Sequence, residues 1–231
     1  MIRVTENFRK IQDLLAQATS EAKRPAGSVR LLAVTKGQPP AAVLEAVSAG
    51  QKEFGENFVQ EALTRMAEVG RDDHPDGLTW HFIGHLQSNK TRLVAEHFHW
   101  VHTVERLKIA ERLSRQRPYY ADDLNVCIQV MIDPEDDKSG VAPDGLQELA
   151  TAVVALPKLK LRGLMCIPAV RHGFEAQREP FRRLRLLAED LAASGIETDT
   201  LSMGMSADYV AAIHEGSTLV RIGTALFGPR R

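Results

Sequence analysis

The chain has 231 residues, of which 44% are hydrophobic and 26% charged, and its formal net charge is -1. A chain of this length accommodates one α/β barrel, and its aliphatic content is sufficient for one large core. The balanced charge leaves no positive excess to neutralise a nucleic-acid backbone or an anionic membrane surface. We therefore expect neither nucleic acid nor membrane among its partners.

The amino terminus and the cysteines indicate the cellular compartment. The first ten residues lack the apolar segment of a signal peptide, and no apolar run approaches the roughly 18 residues of a membrane span. Cys127 and Cys166 each lie in an apolar run, where a thiol usually behaves as a small buried hydrophobe. Neither their number nor their spacing suggests a disulfide framework or a zinc site. These features predict a cytoplasmic protein without a structural metal.

The predicted elements begin with an amphipathic helix and continue as alternating strands and helices. Apolar residues recur at helical spacing from Val4 to Ala18, with Thr5 as a candidate cap. The predicted strands that follow are RLLAVTK, KEFGEN, LTWHFIG, HWVHTV, LNVCIQVMID, LKLRGLMCI, DTLSM and STLVRIG. Most are apolar on both faces, as in a parallel sheet covered by helices.

Eight strand and helix units predict a closed sheet. We expect residues 1–231 to form one domain, a single (β/α)8 TIM barrel with an extra N-terminal helix. A doubly wound open sheet is the alternative, because periodicity alone does not distinguish an open parallel sheet from a closed one.

Unusual residues stand at the carboxyl ends of three predicted strands, where a (β/α)8 barrel carries its active site. Lys36 ends the first strand, Ser206 follows the seventh beside a predicted helix start, and Arg221, Gly223 and Thr224 end the eighth. Free N–H groups, a glycine and a hydroxyl at loops seven and eight are typical of a phosphate site. Taken singly, each motif also fits a solvent-exposed lysine, a helix cap or a turn.

The combination is more specific than its parts. Closure of the barrel places strand eight about 4.8 Å from strand one, so Lys36 and Arg221 become neighbours. A lysine amine beside a phosphate site suits a cofactor that carries both an aldehyde and a phosphate, namely pyridoxal 5'-phosphate (PLP) held as a Schiff base on Lys36. That bond requires a neutral amine. A lysine with an ordinary pKa of about 10.4 would therefore benefit from burial or from the Arg221 cation.

Two further motifs have competing interpretations. The segment from Gly84 to Thr91 resembles a nucleotide-binding loop, but Asn89 stands where that loop needs its second glycine. Asn57 precedes a predicted helix with Gln60 three residues later, which fits a capping box. A cofactor contact for Asn57 is equally compatible with the sequence.

Seven segments, spread over nearly the whole chain, carry a family resemblance. They are AVTK at 33–36, FGEN at 54–57, WHFIGHLQSNK at 80–90, KSG at 138–140, RGLMCI at 162–167, LSMGMSAD at 201–208 and VRIGTALFG at 220–228. With these segments the sequence resembles the pyridoxal phosphate homeostasis proteins, single-domain barrels related to the N-terminal domain of alanine racemase.

The resemblance implies a role for each predicted site residue. It implies that Lys36 carries PLP, that Arg221 faces the pyridine nitrogen and that Asn57 contacts the cofactor. It assigns the phosphate contacts to Ser206, Gly223 and Thr224. His81 and Met165 fall at positions of the pocket wall, and Glu105 stands where the family is expected to have an aspartate.

Three functions remain open from the sequence: a PLP carrier that buffers or delivers the cofactor, an amino-acid racemase, and a weak enzyme acting on another amine. Alanine racemase supplies a tyrosine from a second domain, whereas this sequence ends at Arg231. Tyr119, Tyr120 and Tyr209 are not predicted to lie over the cofactor. We therefore expect a monomeric carrier whose partners are PLP and PLP-dependent apo-enzymes.

Overall fold

The computed structural model describes residues 4–70, 77–133 and 139–228. Eight parallel strands, β1 to β8, form a closed barrel in chain order. The strands are β1 (Arg30–Val34), β2 (Glu53–Glu56), β3 (Thr79–Phe82), β4 (Trp100–Val104), β5 (Leu124–Gln129), β6 (Leu159–Met165), β7 (Thr200–Met205) and β8 (Leu219–Ile222).

Pairing between the first and last strands closes the sheet. Leu32 of β1 lies beside Arg221 of β8, and Ala33 lies beside Ile222. The predicted (β/α)8 barrel is therefore confirmed, and the open-sheet alternative is wrong. The closing register also brings the ends of β1 and β8, with Lys36 and Arg221, to the same face of the barrel.

The helices surround the barrel. They are α1 (Val4–Glu21), α2 (Pro40–Ser48), α3 (Val59–Val69), α4 (Thr91–His97), α5 (Leu107–Gln116), α6 (Leu146–Val154), α7 (Phe174–Ala193), α8 (Tyr209–His214) and α9 (Thr224–Phe227), and a 3-10 turn over Pro143–Gly145 precedes α6. None of the helices described is both long and apolar enough to cross a membrane.

The helix α1 is the predicted addition to the barrel. Its apolar stripe is buried, and the helix packs on α2, α8 and α9. Thr5 lies inside α1, not at its cap, and donates its backbone N–H to Glu45 Oε1 at 3.1 Å. The cap prediction for Thr5 was therefore wrong.

Three details at the carboxyl ends of the strands differ from the predictions. The strand β7 continues to Met205, two residues beyond the predicted end, and α8 begins only at Tyr209. Ser206 therefore lies in a turn before the helix. After β8 the chain forms α9, a short helix that the sequence pattern did not predict. Both cysteines are buried, as expected.

Candidate functional site

A cavity of about 300 Å³ opens at the carboxyl ends of the strands. It brings together all six residues that the sequence predicted for the cofactor site. Its lining consists of Val34, Lys36, Asn57, Ile83, Ile167, Met205, Ser206, Ala207, Arg221, Gly223 and Thr224. Residues that are far apart in the sequence thus meet in space, because all the parallel strands end on one face of the barrel.

Lys36 follows β1 on a loop that is tied to the outer layer of the barrel. The hydroxyl of the preceding Thr35 donates to the carboxylate of Glu56 at 2.5 Å. Arg65 of α3 donates to the same carboxylate at 2.7 Å and to the backbone oxygen of Gln38 at 2.9 Å. Burial raises the pKa of the Glu56 carboxyl, against the opposing effects of Thr35 and Arg65. This tie fixes the loop on both sides of Lys36.

Arg221 is a buried cation at the floor of the cavity. Its Nη1 donates to the backbone oxygen of Ser202 at 2.5 Å and to Ser202 Oγ at 2.9 Å, and its Nη2 donates to Cys166 O at 2.9 Å. Burial lowers its pKa from the ordinary value. Among the described residues no carboxylate forms an ion pair with Arg221, so neutral oxygen atoms hold the guanidinium.

Two histidines lie beneath Arg221 in the barrel interior. His102 Nδ1 is 2.8 Å from Ser202 Oγ, and His102 Nε2 is 2.9 Å from His81 Nδ1. Both histidines are fully buried, and His81 stacks on Trp100 at a centroid distance of 5.2 Å. His81 does not line the cavity, nor does the buried Met165. The implied wall positions for these two residues were therefore wrong.

Asn57 lies one residue beyond β2 and contributes an unsatisfied polar atom. Its Oδ1 is shielded from solvent and has no hydrogen-bond partner among the described residues. Phe58 occupies the N-cap position of α3, and no side chain caps that helix. The capping-box interpretation of Asn57 and Gln60 is therefore wrong, and Oδ1 remains available to a donor on a ligand.

The segments that follow β7 and β8 contribute hydroxyl and backbone N–H groups to the cavity. Ser206 and Ala207 follow β7, while Gly223 and Thr224 begin α9, whose first N–H groups have no acceptor within the helix. A Cβ on Gly223 would approach the backbone oxygen of Val34 to 3.2 Å, so glycine keeps this turn close to β1. The two hydroxyls and the backbone N–H groups together suit an anion.

A smaller cavity of about 240 Å³ adjoins the first across Asn57, Ile83 and Ile167. Gly84 lies in its wall, and a Cβ there would stand 2.1 Å from the backbone oxygen of Asn57. Gly84, the first residue of the segment that resembles a nucleotide-binding loop, therefore permits close packing against Asn57.

The charged and nucleophilic groups in the main cavity are few. Lys36 and Arg221 are its only ionisable lining residues among those the structure describes, and no tyrosine, histidine, cysteine or carboxylate joins them. Tyr119 and Tyr120 are 90% and 78% exposed and precede β5, on the opposite face of the barrel. The arrangement can hold an anion and offer one amine, but its described lining offers no second proton-transfer group.

Sequence reasoning missed the residues behind the cavity. Ser202, His102, Glu56 and Arg65 do not line it, so strand-end position gives no signal for them. Only the direction of each side chain in the closed barrel shows that Ser202 points inward to Arg221 and that Glu56 points outward to α3.

Comparison with known proteins agrees with this geometry. Residues 5–231 match the family described as "Alanine racemase, N-terminal domain". The pyridoxal phosphate homeostasis protein of Pseudomonas aeruginosa is 54% identical over 230 residues, which cover 100% of this chain and 97% of that protein.

Solved structures extend the comparison to the fold. PipY of Synechococcus elongatus, solved with PLP bound, superposes with a TM-score of 0.83 at 36% identity and covers 97% of this chain and 100% of its own. Alanine racemase of Corynebacterium glutamicum has a TM-score of 0.69 at 17% identity; the match covers 99% of this chain and 61% of that enzyme, and it supports the fold alone. The chain therefore belongs to the alanine racemase N-terminal domain family and, within it, to the pyridoxal phosphate homeostasis proteins.

Proposed function

We propose that this protein binds PLP in the main cavity, holds it as a Schiff base on Lys36, and buffers or delivers it within the cytoplasm without efficient catalysis. The observation that carries the proposal is the convergence of one lysine, one buried arginine and two hydroxyl-bearing turns on a single cavity. The relatives named for PLP homeostasis and the PLP-bound PipY structure support it.

The cavity fits the cofactor in size and polarity. Its volume of about 300 Å³ lies at the lower end of the range for small-molecule sites. Ser206, Gly223 and Thr224 would hold the phosphate, and Arg221 would donate to the pyridine nitrogen. Asn57 would contact the cofactor ring, and its Oδ1 has no other hydrogen-bond partner among the described residues.

Arg221 favours storage over catalysis. Bound PLP accepts electrons from an amino acid most readily when a carboxylate keeps its ring nitrogen protonated. A guanidinium can only donate a hydrogen bond, and its charge disfavours a proton on the facing nitrogen. The described lining also lacks a second acid or base opposite Lys36. Both features weaken proton abstraction from an amino acid.

A PLP-dependent amino-acid racemase is the alternative, and the fold shared with alanine racemase is the observation that favours it. A racemase must remove and return a proton at Cα from two sides. Arg221 alone does not exclude it, since alanine racemase tolerates an arginine at this place. The carrier is better supported because only one amine lines the cavity described here.

Hydrogen exchange distinguishes the two functions. The PLP-loaded protein is incubated with L-alanine in deuterium oxide, and proton NMR follows the Cα signal. We expect exchange far slower than one event per second, because the charge of Arg221 disfavours the protonated ring nitrogen that would stabilise a carbanion at Cα. Loss of the signal at about 1 per second or faster would overturn the carrier in favour of the racemase.

The proposal extends to partners and assembly. We infer that a monomer hands PLP to PLP-dependent apo-enzymes, since a carrier requires a recipient and the cavity mouth lies open at one face of the barrel. Sedimentation equilibrium of the loaded protein checks the monomer. Transfer of PLP to an added apo-enzyme, measured as recovered activity of that enzyme, checks delivery.

A further inference from the structure

A hydrogen-bonded chain of side chains, formed by Ser202, His102 and His81, runs through the barrel interior beneath Arg221. The distances are 2.9 Å from Arg221 Nη1 to Ser202 Oγ, 2.8 Å from Ser202 Oγ to His102 Nδ1, and 2.9 Å from His102 Nε2 to His81 Nδ1. Ser202, His102 and His81 are all 0% exposed. This hydrogen-bonded chain begins at the cavity floor and ends at His81 Nε2, which has no partner among the described residues.

The proton positions along this hydrogen-bonded chain follow from the number of donors and acceptors on each side chain. Ser202 Oγ already accepts from Arg221, so its own proton is satisfied only if it is donated to His102 Nδ1. His102 then carries its proton on Nε2 and donates to His81 Nδ1, which leaves one unpaired N–H at His81 Nε2. The reverse direction would strand the Ser202 proton as well as His81 Nε2. One unpaired buried group costs less than two.

This direction also suits the charge of Arg221. Every O–H and N–H donor in the hydrogen-bonded chain then points away from the guanidinium, so the dipole of each donor group presents its negative end toward the cation. The guanidinium has five N–H donors, and its three bonds to Ser202 and Cys166 leave Nε and one N–H of Nη2 for a ligand in the cavity.

We propose that Ser202, His102 and His81 form a one-directional hydrogen-bonded chain that positions Arg221 toward the cavity, with Ser202 and His102 as positioning residues. Among the described residues, the hydrogen-bond partners of the guanidinium are thereby all neutral, and Asp208 acts on it only by electrostatic attraction without an ion pair. The hydrogen-bonded chain holds the guanidinium in one orientation without neutralising its charge. The link to PLP rests on the proposed function, whereas the chain itself does not.

The histidines must remain neutral for this role, and their surroundings keep them so. Burial, Arg221 and Arg30 together lower the pKa of His102 to about 3. Burial, His102, Arg30 and His99 lower the pKa of His81 well below its ordinary value. No carboxylate opposes these effects on either histidine among the described residues.

The first test reads the tautomers directly in the protein without PLP. Nitrogen-15 NMR of the histidine rings, assigned with His81→Gln and His102→Gln, should show both rings neutral at pH 7 with the proton on Nε2. Ser202→Ala should shift His102 Nδ1, because it removes the donated hydroxyl. A proton on His102 Nδ1 in the wild-type protein, or a His102 signal indifferent to Ser202→Ala, would overturn the chain.

The second test asks whether the chain acts on the ligand. Ser217 is a matched control, since it is also 0% exposed and its hydroxyl donates to Met203 O at 2.7 Å without touching Arg221. We expect Ser202→Ala to weaken PLP binding roughly tenfold, as for loss of a hydrogen bond to a charged group, and to shift the absorption band of bound PLP. Ser217→Ala should leave both within about twofold of wild type, although it also loses a buried hydrogen bond.

These experiments distinguish failure of the positioning role from failure of PLP binding. Equal PLP affinity and an unshifted band in Ser202→Ala would overturn the positioning role. Equal losses in both serine variants would overturn it too, because they would point to a general loss of structure. Failure of the wild-type protein to bind PLP would overturn the proposed function, and the NMR result on the ligand-free protein would still decide the chain.

Discussion

Ser206, in the turn after β7, and Thr224, the first residue of α9, both line the cavity and carry hydroxyl groups. If both bind the phosphate, replacing both with alanine should weaken PLP much more than unphosphorylated pyridoxal. Each hydrogen bond is worth about 0.5–1.5 kcal/mol, and up to about 3 kcal/mol when its partner is charged. We expect PLP affinity to fall at least about tenfold, as measured by spectroscopic titration. Equal losses for the two ligands would place the phosphate elsewhere.

The position of a residue at the end of an apolar strand predicts some of the site residues and not others. Lys36, Arg221 and Ser206 stood out because chemistry-bearing residues ended apolar runs, and closure of the barrel then made them neighbours. His102 also stands in an apolar run, but its partner Ser202 lies 100 residues away. No local pattern links residues whose contact depends on the barrel's register.

The buried ion pair between Glu56 of β2 and Arg65 of α3 holds the loop that carries Lys36. Glu56→Ala would leave Arg65, which is 7% exposed, without its carboxylate partner. Breaking a buried ion pair in this way costs about 3–5 kcal/mol, which urea unfolding can measure. Thr64→Ala, on the exposed face of α3, is the control and should change the free energy of unfolding by less than about 0.5 kcal/mol. A similarly small effect of Glu56→Ala would show that the tie contributes little.

At the level of elements, the eight strands were predictable because most are apolar on both faces. The errors lie where the backbone departs from that pattern. Gly204 extends β7 with a φ of +94°, and a Cβ there would stand 2.6 Å from Ala212 Cβ. The helix α9 spans only four residues, too few to show a helical period. Asn57 was compatible with a cap, and only the observed start of α3 excludes that role.

The whole molecule should lose stability in mild acid because it buries neutral histidines. The pKa values of His81 and His102 are lowered in the folded state, so the unfolded chain binds more protons below about pH 6.5. For His102, stability then falls as the pH drops from about 6.5 toward about 3, by up to about 1.4 kcal/mol per pH unit, and His81 contributes a loss in the same direction. His99, whose pKa burial also lowers, acts in the same direction.

Urea unfolding between pH 7 and pH 5 checks this slope in a range above most carboxylate titrations. We expect a weaker pH dependence in the double variant His81→Gln/His102→Gln than in wild type. An unchanged slope would mean that other groups cause it. We also propose that residues 1–231 form one domain, and a single unfolding transition at pH 7 would agree with that proposal.

The proposed covalent bond between Lys36 and PLP can be located directly. The protein is loaded with PLP, reduced with borohydride and digested, and mass spectrometry locates the modified lysine. We predict loss of the visible absorption band on reduction and a pyridoxyl group on Lys36, with neither the band nor the adduct in Lys36→Ala. Attachment to another lysine in the wild-type protein, or an undiminished band in Lys36→Ala, would contradict the claim.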